Sequence, residues 1–239
     1  MPRPLVVSSA RSPRKYRSCY VKQLGACGVC HTHPFCDLEE VGMAANQAIV
    51  DAIVDALPSL SKKWSTPLLI GVFGLPATGK TELTRWLASH YPLTALSTDA
   101  LRLRYRLASG PATHEVLYNV AARLLPLHTG IVFDGIHMGR IHRRQMRQFA
   151  EHYGGQSLLV HTVASPDVIA ARLEARRKDE QKTISEEKFV ISHEHFIRIA
   201  RMLEEPLPEE GVWRIDTAQE DTDAVTAPLQ QRLMDLLVR

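Results

Sequence analysis

Short hydrophobic runs alternate with segments of helical periodicity along most of this chain. The runs predict β-strands at residues 68–73, 93–97, 130–134, 157–163 and 212–216. Apolar residues that recur every three or four positions predict helices near residues 80–90, 113–127, 139–152, 167–178, 187–204 and 221–238. Such alternation is typical of a parallel sheet covered by helices on both faces. We therefore predict an α/β fold with three layers and a five-stranded parallel sheet.

The segment before the first strand follows a different pattern. Prolines interrupt residues 1–40, whose apolar positions match neither a helix nor a strand, so we expect a tail there. From residue 38 to 57 the apolar positions have helical spacing, and Pro58 ends the helix. The expected parts are a tail at 1–40, a helix and polar linker at 41–66, and the α/β domain at 67–239.

The composition, with 45% hydrophobic and 23% charged residues, is that of an ordinary globular protein. The 29 basic and 26 acidic residues nearly balance, so the whole chain has no strong electrostatic preference for nucleic acid or anionic membranes. No apolar run approaches the length of a membrane span, and the start of the chain lacks the apolar stretch of a secretory signal. We therefore expect a soluble, cytoplasmic protein without a membrane partner.

All four cysteines lie in the tail. One Cys-x-x-Cys pair and two further ligands are enough for tetrahedral zinc, and the candidate ligands are Cys27, Cys30, His33 and Cys36. Many structural zinc sites close with a second pair at a distance, whereas the only further cysteine here is Cys19. Two interpretations therefore stay open, a zinc site or a dispensable extension, and Met43 is an alternative start of translation.

A glycine-rich loop follows the first strand. Residues 74–81, Gly-Leu-Pro-Ala-Thr-Gly-Lys-Thr, match the pattern that wraps nucleotide phosphates. Glycines allow backbone N–H groups to point at phosphate oxygens, and the helix that follows adds the positive end of its dipole. We predict that Lys80 bridges the β- and γ-phosphates of ATP and that the Thr81 hydroxyl binds Mg²⁺. The predicted nucleotide-binding residues are Gly74, Ala77, Thr78, Gly79, Lys80 and Thr81.

The second strand ends in Ser97-Thr98-Asp99, followed by Arg102. A carboxylate at this strand end lies across the cleft from the γ-phosphate, where it can accept the proton of an attacking hydroxyl. Asp99 is therefore the candidate base, and Arg102 is a candidate for binding an anionic group of the acceptor. The alternative is that Ser97 or Asp99 caps a helix beginning at Ala100, and the two roles can coexist.

The third and fourth strands carry further candidates. Asp134 ends the third strand, where it would hold Mg²⁺ through water or orient the acceptor, or would serve only as a turn residue. His137 is a candidate for acceptor binding, and the basic run that follows, from 140 to 147, is more typical of a solvated helix face. Arg172 and Arg176 share one helix face after the fourth strand and are candidates for a lid that stabilises the transferring phosphoryl group, unless they form ordinary surface ion pairs.

Five segments together resemble the phosphate-loop kinases related to polynucleotide kinase: GLPATGKT, STDALR, VFDG, ARLEAR and EEPLPEEGVWRIDT. That group is also similar to gluconate kinases, chloramphenicol phosphotransferases and zeta-toxin-type kinases. The resemblance implies that Asp99 activates the acceptor hydroxyl and that Arg102 binds an acceptor phosphate. It also implies that Arg172 or Arg176 is the lid arginine and that Asp134 is the acidic residue of the third strand.

The predicted function is transfer of the γ-phosphoryl group of ATP to a hydroxyl of a small molecule or of a polynucleotide end. The arginines near the cleft suit an oligonucleotide end, a phosphorylated metabolite or an antibiotic hydroxyl, so the acceptor stays open. Two other hypotheses are a nucleotide-dependent binding or regulatory module without an acceptor, and an RNA-binding protein whose zinc tail is attached to a degenerate kinase.

Overall fold

The structure is a computed structural model of the chain that describes residues 40–57, 64–107, 110–135, 138–180, 192–219 and 222–238. The chain divides into two compact units, Met1–Ala45 and Asn46–Arg239, and the first turn of one helix is what is described of the former. The four candidate zinc ligands and His137 lie outside the described residues, so their roles stay predictions. Among the residues described, no helix is long and apolar enough to cross a bilayer.

Five strands form a single sheet, and eight helices are described along the chain. The strands are β1 (Leu68–Phe73), β2 (Leu93–Ser97), β3 (Gly130–Asp134), β4 (Gln156–Val163) and β5 (Trp213–Asp216). The helices are α1 (Glu40–Ala56), α2 (Lys80–His90), α3 (Thr98–Tyr105), α4 (Pro111–Leu124), α5 (Arg140–His152), α6 (Pro166–Glu180), α7 (His193–Met202) and α8 (Thr222–Val238).

All the strand pairs are parallel, and the strand order is β2-β3-β1-β4-β5. Consequently all five strands end at the same side of the sheet, which we call the carboxyl edge. The chain order reverses at β1, whose neighbours are β3 and β4. In open α/β sheets ligands bind outside the strand ends at such a switch point, so the topology places a candidate site directly after Phe73.

The hydrophobic core lies on both faces of the sheet. Every residue of β1 and of β3 is buried, which explains why these strands read as continuous apolar runs in the sequence. One face packs against α4 and α5 through residues such as Leu117 and Met146, and the other packs against α2 and α8 through Leu87 and Leu233. The predicted three-layer fold with five parallel strands is confirmed.

Two helices differ from the sequence-based prediction. Helix α3 begins at Thr98, two residues earlier than expected, because the Ser97 hydroxyl accepts the N–H of Ala100 and caps the helix. Helix α7 spans His193–Met202 and so ends two residues before the predicted end at 204, while residues 187–191 of the predicted helix lie outside the described residues. The helix ends there because Leu203 has an extended backbone and the Glu204 N–H donates to the Met138 carbonyl at 3.0 Å instead of to a carbonyl of the helix.

Candidate phosphate-binding site

The glycine-rich loop links β1 to the first turn of α2. Gly74 and Gly79 have φ angles of 148° and 84°, which side chains disfavour. A Cβ at Gly74 would lie 2.3 Å from the Thr162 carbonyl oxygen, so β4 also excludes a side chain there. The Lys80 ammonium folds across the loop and donates to the Leu75 carbonyl at 2.8 Å. The loop residues therefore form a compact turn at the start of α2. Backbone N–H groups in such a turn are the arrangement that binds phosphate.

Thr81 and Asp134 meet beside this loop. The Thr81 hydroxyl donates to Asp134 Oδ2 at 2.9 Å, and Asp134 itself is only 4% exposed. Its other oxygen, Oδ1, is buried and makes no hydrogen bond to a described residue. A hydroxyl and a carboxylate are hard oxygen ligands of the kind that Mg²⁺ prefers, and an unpaired buried oxygen leaves room for such a partner. The donor set therefore fits Mg²⁺, held directly or through water.

Lys80 lies within electrostatic reach of three other candidate residues. Burial lowers the pKa of Lys80 to about 8, although the carboxylates of Asp134 and Asp99 oppose the change, and Arg176 lowers the pKa further. Burial likewise raises the pKa of Asp134, against the effects of the Thr81 hydroxyl and Lys80. The site thus brings charges of both signs together around the buried Asp134 carboxylate, as active sites do.

Asp99 occupies the first turn of α3 at the carboxyl edge. Its side chain is 60% exposed and pairs loosely with Arg102 at 3.4 Å. Because Ser97 provides the helix cap, the cap does not use the Asp99 carboxylate. The hypothesis that Asp99 serves only as a cap is therefore wrong, and its carboxylate faces solvent near the loop.

The two candidate lid arginines are placed differently. Arg172 donates to the Ala77 carbonyl at 3.2 Å and to the carbonyl and hydroxyl oxygens of Thr217 at 2.6 and 3.0 Å. Arg176 lies one helical turn further along α6 and acts on Lys80 through its charge. The surface ion pairs of this helix are made by its neighbours, since Glu174 pairs with Arg177 and Lys178.

Sequence reasoning missed a buried ion pair on α5. Arg143 is completely buried and donates to both carboxylate oxygens of Glu210, at 2.6 and 2.9 Å. It also donates to the Met138 carbonyl at 2.9 Å and lies over the Phe73 ring at 5.0 Å. Hydrogen bonds from Arg143 lower the pKa of Glu210 to about 2. The expectation of a solvated basic face is wrong for Arg143, which lies on the same helix face as the buried residue Met146.

Two threonines beneath the loop were also missed. The Thr162 and Thr78 hydroxyls are 2.8 Å apart in a buried contact, and the Thr217 hydroxyl donates to the Thr78 carbonyl at 2.9 Å. Beside them, the buried ring of His161 stacks on Phe73 with centroids 4.8 Å apart. The available signals were that Thr217 directly follows β5 and ends the family-like segment EEPLPEEGVWRIDT, and that Thr162 is the penultimate residue of β4.

The geometry of a phosphate loop with an acidic residue on a neighbouring strand agrees with the family comparison. A family model described as an AAA domain matches residues 69–199, more than half of the chain. The chain belongs to this AAA domain family. A comparison with curated protein sequences gives no match.

Three solved structures resemble this AAA domain protein. Kti12 of Chaetomium thermophilum, in complex with ADP-AlF3, has a TM-score of 0.55 and 22% identity, covering 71% of this chain and 98% of that chain. A candidate kinase of Chloroflexus aurantiacus has a TM-score of 0.54 and 25% identity, covering 72% and 98%. A gluconokinase of Sinorhizobium meliloti has a TM-score of 0.50 and 18% identity, covering 70% and 96%. The resemblance of the AAA domain protein to phosphate-loop kinases is confirmed.

Proposed function

We propose that this AAA domain protein is a kinase that transfers the γ-phosphoryl group of ATP to a hydroxyl. The observation that carries the proposal is the hydrogen bond of the Thr81 hydroxyl to the buried Asp134 carboxylate at 2.9 Å beside the phosphate loop, with the exposed carboxylate of Asp99 at the same edge of the sheet. A phosphate loop alone would suit any nucleotide-binding protein of this fold. A solvent-facing carboxylate beside the loop adds a group that can act on an acceptor.

The reaction makes specific demands on the chain. The acceptor oxygen forms a bond to the γ-phosphorus as the bond to the β–γ bridging oxygen breaks, and that electron pair leaves with ADP. Asp99 accepts the hydroxyl proton, and Lys80 and Arg176 stabilise charge on the phosphoryl oxygens. Thr81 and Asp134 are the residues that would hold Mg²⁺, which neutralises phosphate charge when bound.

Arg102 is the residue that we propose to orient the acceptor. It follows Asp99 by one helical turn and contacts its carboxylate at 3.4 Å, so a ligand held by the guanidinium would lie next to the proposed base. A guanidinium binds carboxylate or phosphate in a bidentate manner. Acceptors with an anionic group close to the reacting hydroxyl are therefore favoured, and they include a phosphorylated metabolite and a nucleic-acid end.

The direct test is incubation of the full chain with γ-labelled ATP, MgCl₂ and a panel of oligonucleotide, phosphorylated-metabolite and neutral acceptors. We expect label to appear in at least one acceptor, with an anionic acceptor preferred, and we expect Lys80→Ala to reduce the transfer to background. Release of labelled phosphate with no labelled acceptor would favour the nucleotide-dependent binding or regulatory module instead. Unchanged transfer by Lys80→Ala would show that a contaminating kinase produced the label.

The pH dependence of ATP binding gives a second expected outcome. Because the pKa of Lys80 is lowered to about 8, the free protein loses this ammonium as the pH rises through that value. ATP affinity should therefore be constant below about pH 7.5 and then fall by up to about tenfold per pH unit. Equilibrium dialysis between pH 7 and 9.5 measures this, with Lys80→Ala expected to bind weakly at every pH. Constant wild-type affinity across this range would contradict a role for the ammonium.

A further inference from the structure

We propose that Arg172 and Thr217 are positioning residues that together hold the phosphate loop in its binding shape and tie α6 to it. On this assignment Arg172 does not contact the transferred phosphoryl group, and Arg176 is the lid arginine. The inference rests on the proposed function, which it deepens by dividing the roles of the two arginines.

Thr217 connects three parts of the fold. Its hydroxyl donates to the Thr78 carbonyl at 2.9 Å and accepts from Arg172 Nη1 at 3.0 Å. Its backbone N–H donates to the Val163 carbonyl at 2.9 Å and so completes the last pair of β4 with β5, Val163 with Asp216. The next N–H, of Ala218, donates to the Asp216 carboxylate at 3.0 Å. These hydrogen bonds hold the backbone at Thr217 and Ala218 to the ends of β4 and β5.

The contact with Thr78 determines the direction of the next peptide group. In a planar trans peptide the C=O and N–H point in opposite directions, so a Thr78 carbonyl directed at Thr217 turns the Gly79 N–H away from Thr217. In loops of this sequence pattern such N–H groups bind phosphate oxygens. A Cβ at Gly79 would lie 3.1 Å from the Thr217 hydroxyl, so the loop backbone packs directly on this side chain. Thr217 thus supports the part of the loop just before Lys80.

Arg172 adds a second support to the same segment. Its guanidinium donates to the Ala77 carbonyl, one residue before Thr78, and to both oxygens of Thr217. Three backbone and hydroxyl acceptors at 2.6–3.2 Å take three of the five N–H groups of this guanidinium and hold it against the loop and Thr217. Arg176 follows one turn later on the same helix face, so fixing Arg172 also fixes where Arg176 approaches Lys80.

ADP binding separates this role from a contact with the transferred group. ADP lacks the γ-phosphoryl group but uses the same loop, so an arginine that touches only that group would not affect ADP affinity. Thr217→Val keeps the side-chain shape, removes the hydroxyl and leaves the Thr78 carbonyl without its donor. We expect Thr217→Val and Arg172→Met each to weaken ADP binding by about tenfold or more, and Thr217→Ser to bind within about threefold of wild type.

A matched control is Thr129→Val. The Thr129 hydroxyl also donates to a buried carbonyl, that of Leu124 at 2.7 Å, but it lies at the opposite end of the sheet, just before β3 begins. We expect this variant to bind ADP within about twofold of wild type. Circular dichroism melts of every variant establish that each is folded at the temperature of the titration. If Thr217→Val is unfolded at that temperature, Arg172→Met still tests the proposal.

A double-mutant cycle completes the test. If the two residues act as one support, the double variant should bind ADP within about threefold of the weaker single variant rather than showing the product of the two losses. Wild-type ADP affinity in Thr217→Val would overturn the proposal. So would intact ADP affinity with lost phosphoryl transfer in Arg172→Met, because that result places Arg172 at the transferred group. Absence of ADP binding by the wild-type protein would instead overturn the proposed function and this inference with it.

Discussion

Asp99→Asn is expected to slow phosphoryl transfer by about 100- to 10,000-fold while ATP affinity stays within about twofold of wild type. Asparagine keeps the size of the side chain but cannot accept the hydroxyl proton. The fold should not suffer, because the Ser97 hydroxyl caps α3 and the Asp99 side chain is 60% exposed. Initial rates with the best acceptor of the panel, together with ATP titrations, measure the two quantities separately.

Asp167→Asn provides the matched control for this prediction. Asp167 is also an exposed aspartate in the first turn of a helix, α6, at the carboxyl edge. We expect its substitution to change the transfer rate by less than about twofold, since no contact with the loop residues is described for it. Full activity of Asp99→Asn would remove the base from the proposed mechanism. Loss of ATP binding would instead make Asp99 part of the nucleotide site.

Arg143→Met should destabilise the protein by about 3–5 kcal/mol. The substitution leaves the Glu210 carboxylate without its bidentate partner, and the Glu210 side chain is only 9% exposed. It also leaves the Met138 carbonyl without the donor that Arg143 provides. Urea unfolding followed by circular dichroism measures the loss as a lower midpoint at an unchanged slope.

Two further variants define the cause of that loss. Arg123→Met breaks an ion pair with Asp51 that is about half exposed, and this should cost at most about 1 kcal/mol. The double variant Arg143→Met with Glu210→Gln removes the stranded charge and should recover part of the stability. Equal losses for Arg123→Met and Arg143→Met would contradict a special cost of burial.

The ion pair of Arg143 with Glu210 also predicts how the stability of the protein changes in acid. The pKa of Glu210 is lowered in the folded protein to about 2, below the ordinary value near 4.5. The contribution of the pair is therefore complete above about pH 4.5 and is lost as the pH falls toward 2. The Arg143→Met variant should lack most of this acid dependence, because the Arg143 hydrogen bonds are the largest cause of the lowered Glu210 pKa and only the Leu207 N–H and the charge of Arg147 remain.

The sequence predicted the sheet and the phosphate loop well, because both depend on local patterns. Fully buried strands such as β1 and β3 require continuous apolar residues, and the loop needs glycines followed by lysine and a hydroxyl at fixed spacing. Asp134 ends β3 beside the end of β1, because parallel strands end at one edge of the sheet. The loop after β1 leads to Thr81, so the two side chains meet there. These inferences needed no knowledge of distant contacts.

Contacts between residues far apart in the sequence were harder to predict. Arg143 and Glu210 each look like an ordinary charged surface residue until the fold brings them together. The helical spacing of Arg143 with Met146 and Phe149 was the one local sign that it faces the core. Likewise, Arg172 and Arg176 lie on the same helix face, and the contacts of Arg172 with Ala77 and Thr217, which are distant in the sequence, are what distinguishes them.

The strand order has a consequence for how the protein folds. Leu68, the first residue of the central strand β1, pairs with Gly130 and Gln156, and β1 makes no pair with β2, the strand that follows it in the chain. During synthesis the phosphate loop and its strand therefore emerge well before either neighbour exists. Such non-local pairing slows folding and exposes apolar segments to aggregation, so the yield of native protein should depend on how quickly β3 and β4 are completed and paired with β1.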